Sequence, residues 1–113
     1  MNTEEIRREN FINLYNEQGQ KHGYWEGYWS NGKLHYKGDF IDGREHGLWE
    51  RYHSNGQLSC KGHFVNGIQH GSWEVYWSTG QLSYKGHYVN GQEHGYWEKY
   101  YSDGQLESKR YYL

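Results

Sequence analysis

Proline and alanine are absent from this 113-residue chain, and cysteine occurs once, at Cys60. A lone cysteine excludes a disulfide framework and any Cys-based zinc site. Alanine is the strongest helix former, so its absence beside 16 glycines argues against a mainly helical fold. Uncharged apolar runs reach only two or three residues, against the roughly 20 that a transmembrane helix needs. Met1 to Asn10 is charged and has no apolar stretch. No secretory signal is therefore expected, and the expected location is cytoplasmic. Aliphatic side chains are scarce as well, with Ile, Leu, Val and Phe supplying 17 of the 113 residues. Such scarcity signals disorder when net charge is high, but the formal net charge is only −2. The apolar area must come from 6 Trp, 13 Tyr and 3 Phe, since an aromatic side chain buries about 150–250 Å².

The rings are not scattered. Gly-x-Trp-Glu recurs at Gly23/Trp25/Glu26, Gly47/Trp49/Glu50, Gly71/Trp73/Glu74 and Gly95/Trp97/Glu98, always 24 residues apart. Other columns keep that register: Tyr28, Tyr52, Tyr76 and Tyr100; Leu34, Leu58, Leu82 and Leu106; Lys37, Lys61, Lys85 and Lys109; His22, His46, His70 and His94. A fixed period of this length marks a repeat architecture. Each unit reads as two strands and two turns. Asn31-Gly32 suits a two-residue type I′ hairpin, which needs positive φ at both central residues, and Asn55-Gly56, Thr79-Gly80 and Asp103-Gly104 repeat it. The second connection, Asp42 to Gly47, reads as a longer loop.

The turn fixes the pairing. With Asn31-Gly32 as the loop, Trp29 faces Leu34, Gly27 faces Tyr36, Trp25 faces Gly38 and Glu26 faces Lys37. Directly opposed side chains share a face. One face then carries Trp25, Trp29, Leu34, Tyr36 and Phe40, with Gly38 leaving room for the indole of Trp25. Centring the longer connection pairs Phe40 with Trp49 on that same face. The reverse face carries the pairs Glu26–Lys37, Glu50–Lys61, Glu74–Lys85 and Glu98–Lys109, flanked by the Tyr28 column and by Ile41, Val65 and Val89. Each charge pair contributes roughly 0.2–1 kcal/mol, enough to set register.

The ends depart from the pattern. Asn2-Thr3-Glu4-Glu5 resembles an N-cap with a capping box, and a short helix to about Tyr15 is expected, with Ile6, Phe11, Leu14 and Tyr15 available to cover the first strand. Residues 1–15 thus read as a helical cap and 16–113 as the repeat array, with units starting near Gly23, Gly47, Gly71 and Gly95. At the other end Arg110 replaces the glycine column, as terminal units of arrays commonly do.

Asp42-Gly43-Arg44-Glu45-His46-Gly47-Leu48-Trp49-Glu50, then Ser54-Asn55-Gly56-Gln57-Leu58, then Lys61-Gly62-His63-Phe64 resembles the MORN repeat variant, the tandem unit of the YwqK-type antitoxin family of bacteria. The resemblance runs from about Gly19 to Leu113. It implies an all-β, elongated, single-layer antiparallel sheet that binds another protein, which in the antitoxin family is a cognate toxin.

Eight histidines invite a metal reading. The His22 column recurs every second strand, however, so its members stand about 9.6 Å apart. Zinc needs each ligand within about 2.1 Å, so the column cannot chelate one ion and is better read as closing the loops. Protonation of all eight would turn the net charge positive, which makes pH sensing a weaker option. Repeats spread residues evenly, whereas an enzyme needs a unique constellation, and no Ser-His-Asp set, phosphate loop or isolated carboxylate pair occurs. No cofactor or metal is expected. With 12 basic against 14 acidic residues, the chain lacks the basic footprint of a nucleic-acid binder. It also lacks the polybasic cluster that anionic lipid attracts.

The Trp25, Trp49, Trp73 and Trp97 column and the Tyr28, Tyr52, Tyr76 and Tyr100 column are assigned to packing. Positions that vary between units are the better interface candidates. These are Trp29, His53, Trp77 and Tyr101; Tyr24, Leu48 and Tyr96; and His35. Trp and Tyr dominate interface hot spots. The reading is a non-enzymatic protein-binding module, an antitoxin, immunity-type protein or phage anti-defence inhibitor that occludes a toxin or defence effector. The alternatives are a scaffold that self-associates through its sheet and an aromatic carbohydrate or cell-wall binder.

Overall fold

The computed structural model describes residues 11–113. Among them, nine strands form one open antiparallel sheet in simple meander order. They are β1 (Leu14–Tyr15), β2 (Lys21–Tyr28), β3 (Leu34–Ile41), β4 (Arg44–Tyr52), β5 (Leu58–Val65), β6 (Ile68–Tyr76), β7 (Leu82–Val89), β8 (Gln92–Tyr100) and β9 (Leu106–Tyr112). The described residues span 47 × 31 × 22 Å.

The expected N-terminal helix is not seen over residues 11–15, and its remainder lies outside the described residues. Leu14 and Tyr15 pair instead with His22 and Lys21. Local polar chemistry explains the change. Asn16 Oδ1 accepts the N–H groups of Gln18 and Gln20, both at 2.9 Å, and such bonds offer the backbone an alternative to helix. Asn13 stands at φ 57°, outside the right-handed helical region.

The two connections exchange the roles expected of them. Asp42-Gly43, Asn66-Gly67 and Asn90-Gly91 are the two-residue turns, with positive φ at both residues and with Ile41 paired to Arg44 and Val65 to Ile68. That is type I′ geometry. At the other connection Gly32 (φ 85°) is left-handed and Asn31 is not. Trp29 N–H bonds to Lys33 O at 2.8 Å, and Gly32 N–H to Trp29 O at 2.9 Å, which makes a type I turn closed by a glycine bulge. Asn31 is needed there for its side chain, whose Oδ1 accepts from Lys33 N–H at 2.9 Å. Asn55, Thr79 and Asp103 serve Gln57, Gln81 and Gln105 in the same way.

The register nevertheless agrees with expectation beyond the loop. Trp25 opposes Gly38, Glu26 opposes Lys37 and Gly27 opposes Tyr36. A bulge between Gly27 and Tyr28 compensates for the longer turn. Close to the turn the expectation fails, because Tyr28 rather than Trp29 opposes Leu34. A one-residue slip moves side chains to the other face, so Leu34 joins the Tyr28 face. Phe40 likewise opposes Glu45, not Trp49, yet its ring still meets Trp49 edge-on at 4.9 Å.

The core is one row of rings. Trp25, Trp49, Phe64 and Trp97 are the buried hydrophobic side chains among the described residues. Edge-to-face contacts run from Tyr15 to Trp25 (5.2 Å), Phe40 (6.1 Å), Trp49, Phe64 (6.5 Å), Trp73 (5.7 Å), Tyr88 (6.0 Å) and Trp97 (4.9 Å). Each such pair contributes about 0.5–1.5 kcal/mol beyond area burial. The indoles lean toward the preceding strand, so Trp49 rather than Trp25 covers Gly38. Trp25 leans on β1 instead, with Nε1 donating to Leu14 O at 3.0 Å.

Candidate protein-binding surface

The reverse face is built around the Glu–Lys row. Each Lys of this row in β3 and β5 opposes a Glu on both sides. The closer contacts run forward to the next strand, Lys37–Glu50 at 3.6 Å and Lys61–Glu74 at 3.7 Å, while Lys109 reaches Glu98 at 3.9 Å. Of the four expected pairs all share the register, and Glu98–Lys109 closes as an ion pair. The hydroxyls of Tyr28, Tyr52, Tyr76 and Tyr100 donate to Glu26, Glu50, Glu74 and Glu98, two residues back on the same strand. Burial and the Glu50 carboxylate push the Tyr52 hydroxyl up to about 12. The hydrogen bond to Glu74 and then burial do the same for Tyr76, also to about 12. The Tyr100 hydroxyl is raised chiefly by its bond to Glu98. Burial pushes up the Cys60 thiol, which disfavours the reactive thiolate.

Two members of the histidine column, His22 and His70, close turns, though not the turn expected, whereas His46 Nδ1 is buried among the described residues without a hydrogen-bond partner. Nδ1 of His22 accepts the N–H of Asp42 at 3.2 Å, and Nδ1 of His70 that of Asn90 at 3.3 Å. Each histidine therefore steadies the turn of the neighbouring hairpin, beside a glycine bond in which Gly43 N–H reaches Lys21 O at 2.9 Å and Gly91 N–H reaches Gln69 O at 2.8 Å. Among the described residues, no group of three or more His, Cys, Asp or Glu is placed to hold a metal ion.

The variable columns divide by structure. Trp29 Nε1 donates to Tyr52 O at 3.1 Å, and His53 Nε2 lies 2.9 Å from Tyr76 O. Both stitch their turn to the next hairpin. His35, the residue inserted by the bulge, stacks on Trp29 at 3.7 Å. Tyr24 donates to Glu26 at 2.8 Å and is half-buried. By contrast Trp77, Tyr101, Leu48 and Tyr96 are exposed. Tyr96 meets Tyr111 at 4.8 Å, and Lys109 Nζ stands 4.5 Å over its ring. Sequence reasoning did not single out Tyr111, although extending the hairpin register to β8 and β9 pairs it with Tyr96. Nor did it single out Ile68, which opposes Val65 and extends an exposed aliphatic stripe with Ile41 and Val89.

Residues 21–42, 45–66, 69–90 and 93–113 each match the MORN repeat variant family. The chain belongs to that family. No curated protein matches it. The matched spans break at the type I′ turns, so one MORN unit is a strand, a glycine-bulge loop and a strand: β2–β3, β4–β5, β6–β7 and β8–β9. MORN repeats are commonly protein- or membrane-binding modules, and the family is a non-catalytic repeat module. Among the described residues no helix is long and apolar enough to cross a membrane.

Proposed function

We propose that this MORN repeat protein is a non-enzymatic binding module that neutralises a partner protein by covering its working surface, as an antitoxin, immunity or anti-defence inhibitor does. The exposed rings carry this reading. Trp77, Tyr96, Tyr101 and Tyr111 are 40%, 60%, 52% and 53% exposed, and among the described residues the fold is a single sheet with no second layer. Trp and Tyr are the residue types that anchor interfaces. Tyr96 and Tyr111 sit on preformed strands, and Trp77 and Tyr101 at hydrogen-bonded turns, so binding orders little chain and the entropic cost is small. A protein surface fits better than anionic lipid, because the lysine row is interleaved with carboxylates at 3.6–3.9 Å and forms no polybasic cluster.

The test is capture from the native host with wild type, Trp77→Ala and Tyr96→Ala as baits. The reading expects a stoichiometric protein complex with wild type that both substitutions weaken, and expects co-expression to relieve the toxicity of the captured protein. Recovery of the same proteins at the same yield by all three baits would refute the exposed rings as the interface. A captured partner whose activity is unchanged in the complex would refute inhibition.

A further inference from the structure

A 24-residue repeat that pairs strand on strand leaves an edge strand whose side chains decide what can add to it. The last strand of the sheet, β9, is exposed along most of its length, and an open edge of this kind is a ready template for another strand. A head-to-tail contact between copies would not close on itself and would generate a filament. The most complementary incoming strand is one from a second copy, since β2, β4, β6 and β8 all carry the Trp that the array packs against a preceding strand.

The packing of that Trp depends on glycine. The ring of Trp49 lies where a Cβ on Gly38 would be 2.3 Å away, that of Trp73 1.8 Å from a Cβ on Gly62, and that of Trp97 2.0 Å from one on Gly86. No side chain fits beneath an indole so placed. In β9 the equivalent position is Arg110, opposite Trp97. Its guanidinium turns along the strand, 4.9 Å from the Tyr112 ring. The slot that would receive the next indole is therefore filled by a side chain and carries a charge.

The opposite edge is covered in a different way. Asn13 N–H donates to Tyr24 O at 2.9 Å, and its carboxamide exchanges two bonds with Glu26, Nδ2 to O at 3.1 Å and Oδ1 from N–H at 2.8 Å. The side chain thus imitates a strand peptide against β2, while Leu14 O takes the indole of Trp25.

We infer that the β9 edge is closed to a second copy of this chain by Arg110, which occupies the indole slot that every preceding unit leaves open with glycine. The closing element is the Cβ and the stem above it; the charge is secondary. Two consequences separate from one another. Replacing Arg110 by glycine opens the slot, whereas replacing it by alanine removes the charge and leaves the slot shut.

The test uses the full chain with a synthetic peptide of the β8 sequence, Gln92–Tyr100, as probe. Wild type, R110A and R110G are titrated with it by calorimetry, after circular dichroism has established that each is folded. R110G is expected to bind at least about tenfold more tightly than the other two, and to lose that gain when the peptide Trp is replaced by Ala. Equal binding by all three proteins, none included, overturns the inference. So does R110A binding as well as R110G, which would make charge the barrier. Light scattering gives an independent readout: wild type is expected at its monomer mass of 13.6 kDa at every concentration, and concentration-dependent growth of wild type through β9 overturns the closure outright.

Discussion

The indole of Trp49 lies flat over Gly38, so close that a single added methyl carbon would stand 2.3 Å from the ring. Tryptophan and glycine therefore form one packing unit, shared between β4 and β3. The glycine recurs in the first three units, at Gly38, Gly62 and Gly86, because of its missing side chain. Its φ is not in the left-handed region, so backbone freedom is not what the position requires.

Gly38→Ala is expected to expel the ring of Trp49 and destabilise the fold by about 2–3 kcal/mol, the cost of overpacking plus lost ring contacts. Gly62→Ala and Gly86→Ala should behave alike. Gly27→Ala meets the half-buried ring of Tyr36 rather than an indole, and should cost less, about 1 kcal/mol. Urea denaturation followed by Trp fluorescence measures the series. Equal costs at Gly27 and Gly38 would contradict the indole slot.

The two glycine connections should respond differently to the residue before the glycine. Asn66 has φ 52°, so Asn66→Val is expected to cost about 1–2 kcal/mol and Asn66→Gly to be tolerated. Asn55 acts through its side chain, which accepts from Gln57 N–H and donates to Ser78 O. There Asn55→Asp keeps the acceptor for Gln57 N–H but loses the bond to Ser78 O and should cost about 1 kcal/mol, while Asn55→Gly loses both bonds and should cost about 2 kcal/mol. A reversed pattern in thermal unfolding would restore the opposite turn assignment.

The Tyr52 hydroxyl is raised from 10.0 to about 12 by burial and then by Glu50, and that of Tyr76 to about 12 by its hydrogen bond to Glu74 and then by burial. A hydroxyl whose folded value lies above its unfolded value favours the folded state fully below pH 10. That contribution is lost as pH rises toward 12. Ultraviolet titration of the phenols should show a late-ionising class. Tyr52→Phe and Tyr76→Phe should each remove one member of it. Uniform ionisation near pH 10 in wild type would rule the arrangement out.

Trp29 and Trp77 occupy equivalent positions but should separate stability from binding. Trp29→Ala loses the bond to Tyr52 O and the stack on His35, and should destabilise by about 1–2 kcal/mol. Trp77 is 40% exposed, and Trp77→Ala should change stability by no more than about 0.5 kcal/mol while weakening partner capture. A melting temperature that falls equally in both variants would place Trp77 in the scaffold.

Much of this fold is legible in the chain because period and pairing are local properties. The 24-residue spacing of Trp25, Trp49, Trp73 and Trp97 marks the array, and the opposition of Glu26 to Lys37 follows from a short loop with complementary charges. Even the register survived a mistaken turn type, because the bulge beside Gly27 returns the residue that the longer loop removes. The interface candidates were only partly legible. Trp29, His53, Trp77 and Tyr101 form one column in the sequence, yet the first two are bonded to the next hairpin and the last two face solvent.

The sequence by itself determined the strand order, the ring row and the charge row, since each depends on residue type at a fixed period. Only the tertiary structure decided which Asn-Gly or Asp-Gly pair forms the type I′ turn and toward which strand each indole leans. Those choices are made by neighbouring hairpins, through Gly43 N–H on Lys21 O, His22 on Asp42 N–H and Trp49 over Gly38. Contacts 11 to 22 residues apart along the chain leave no mark in the local pattern, because the same dipeptide satisfies either turn until a neighbouring strand supplies the bond that selects one.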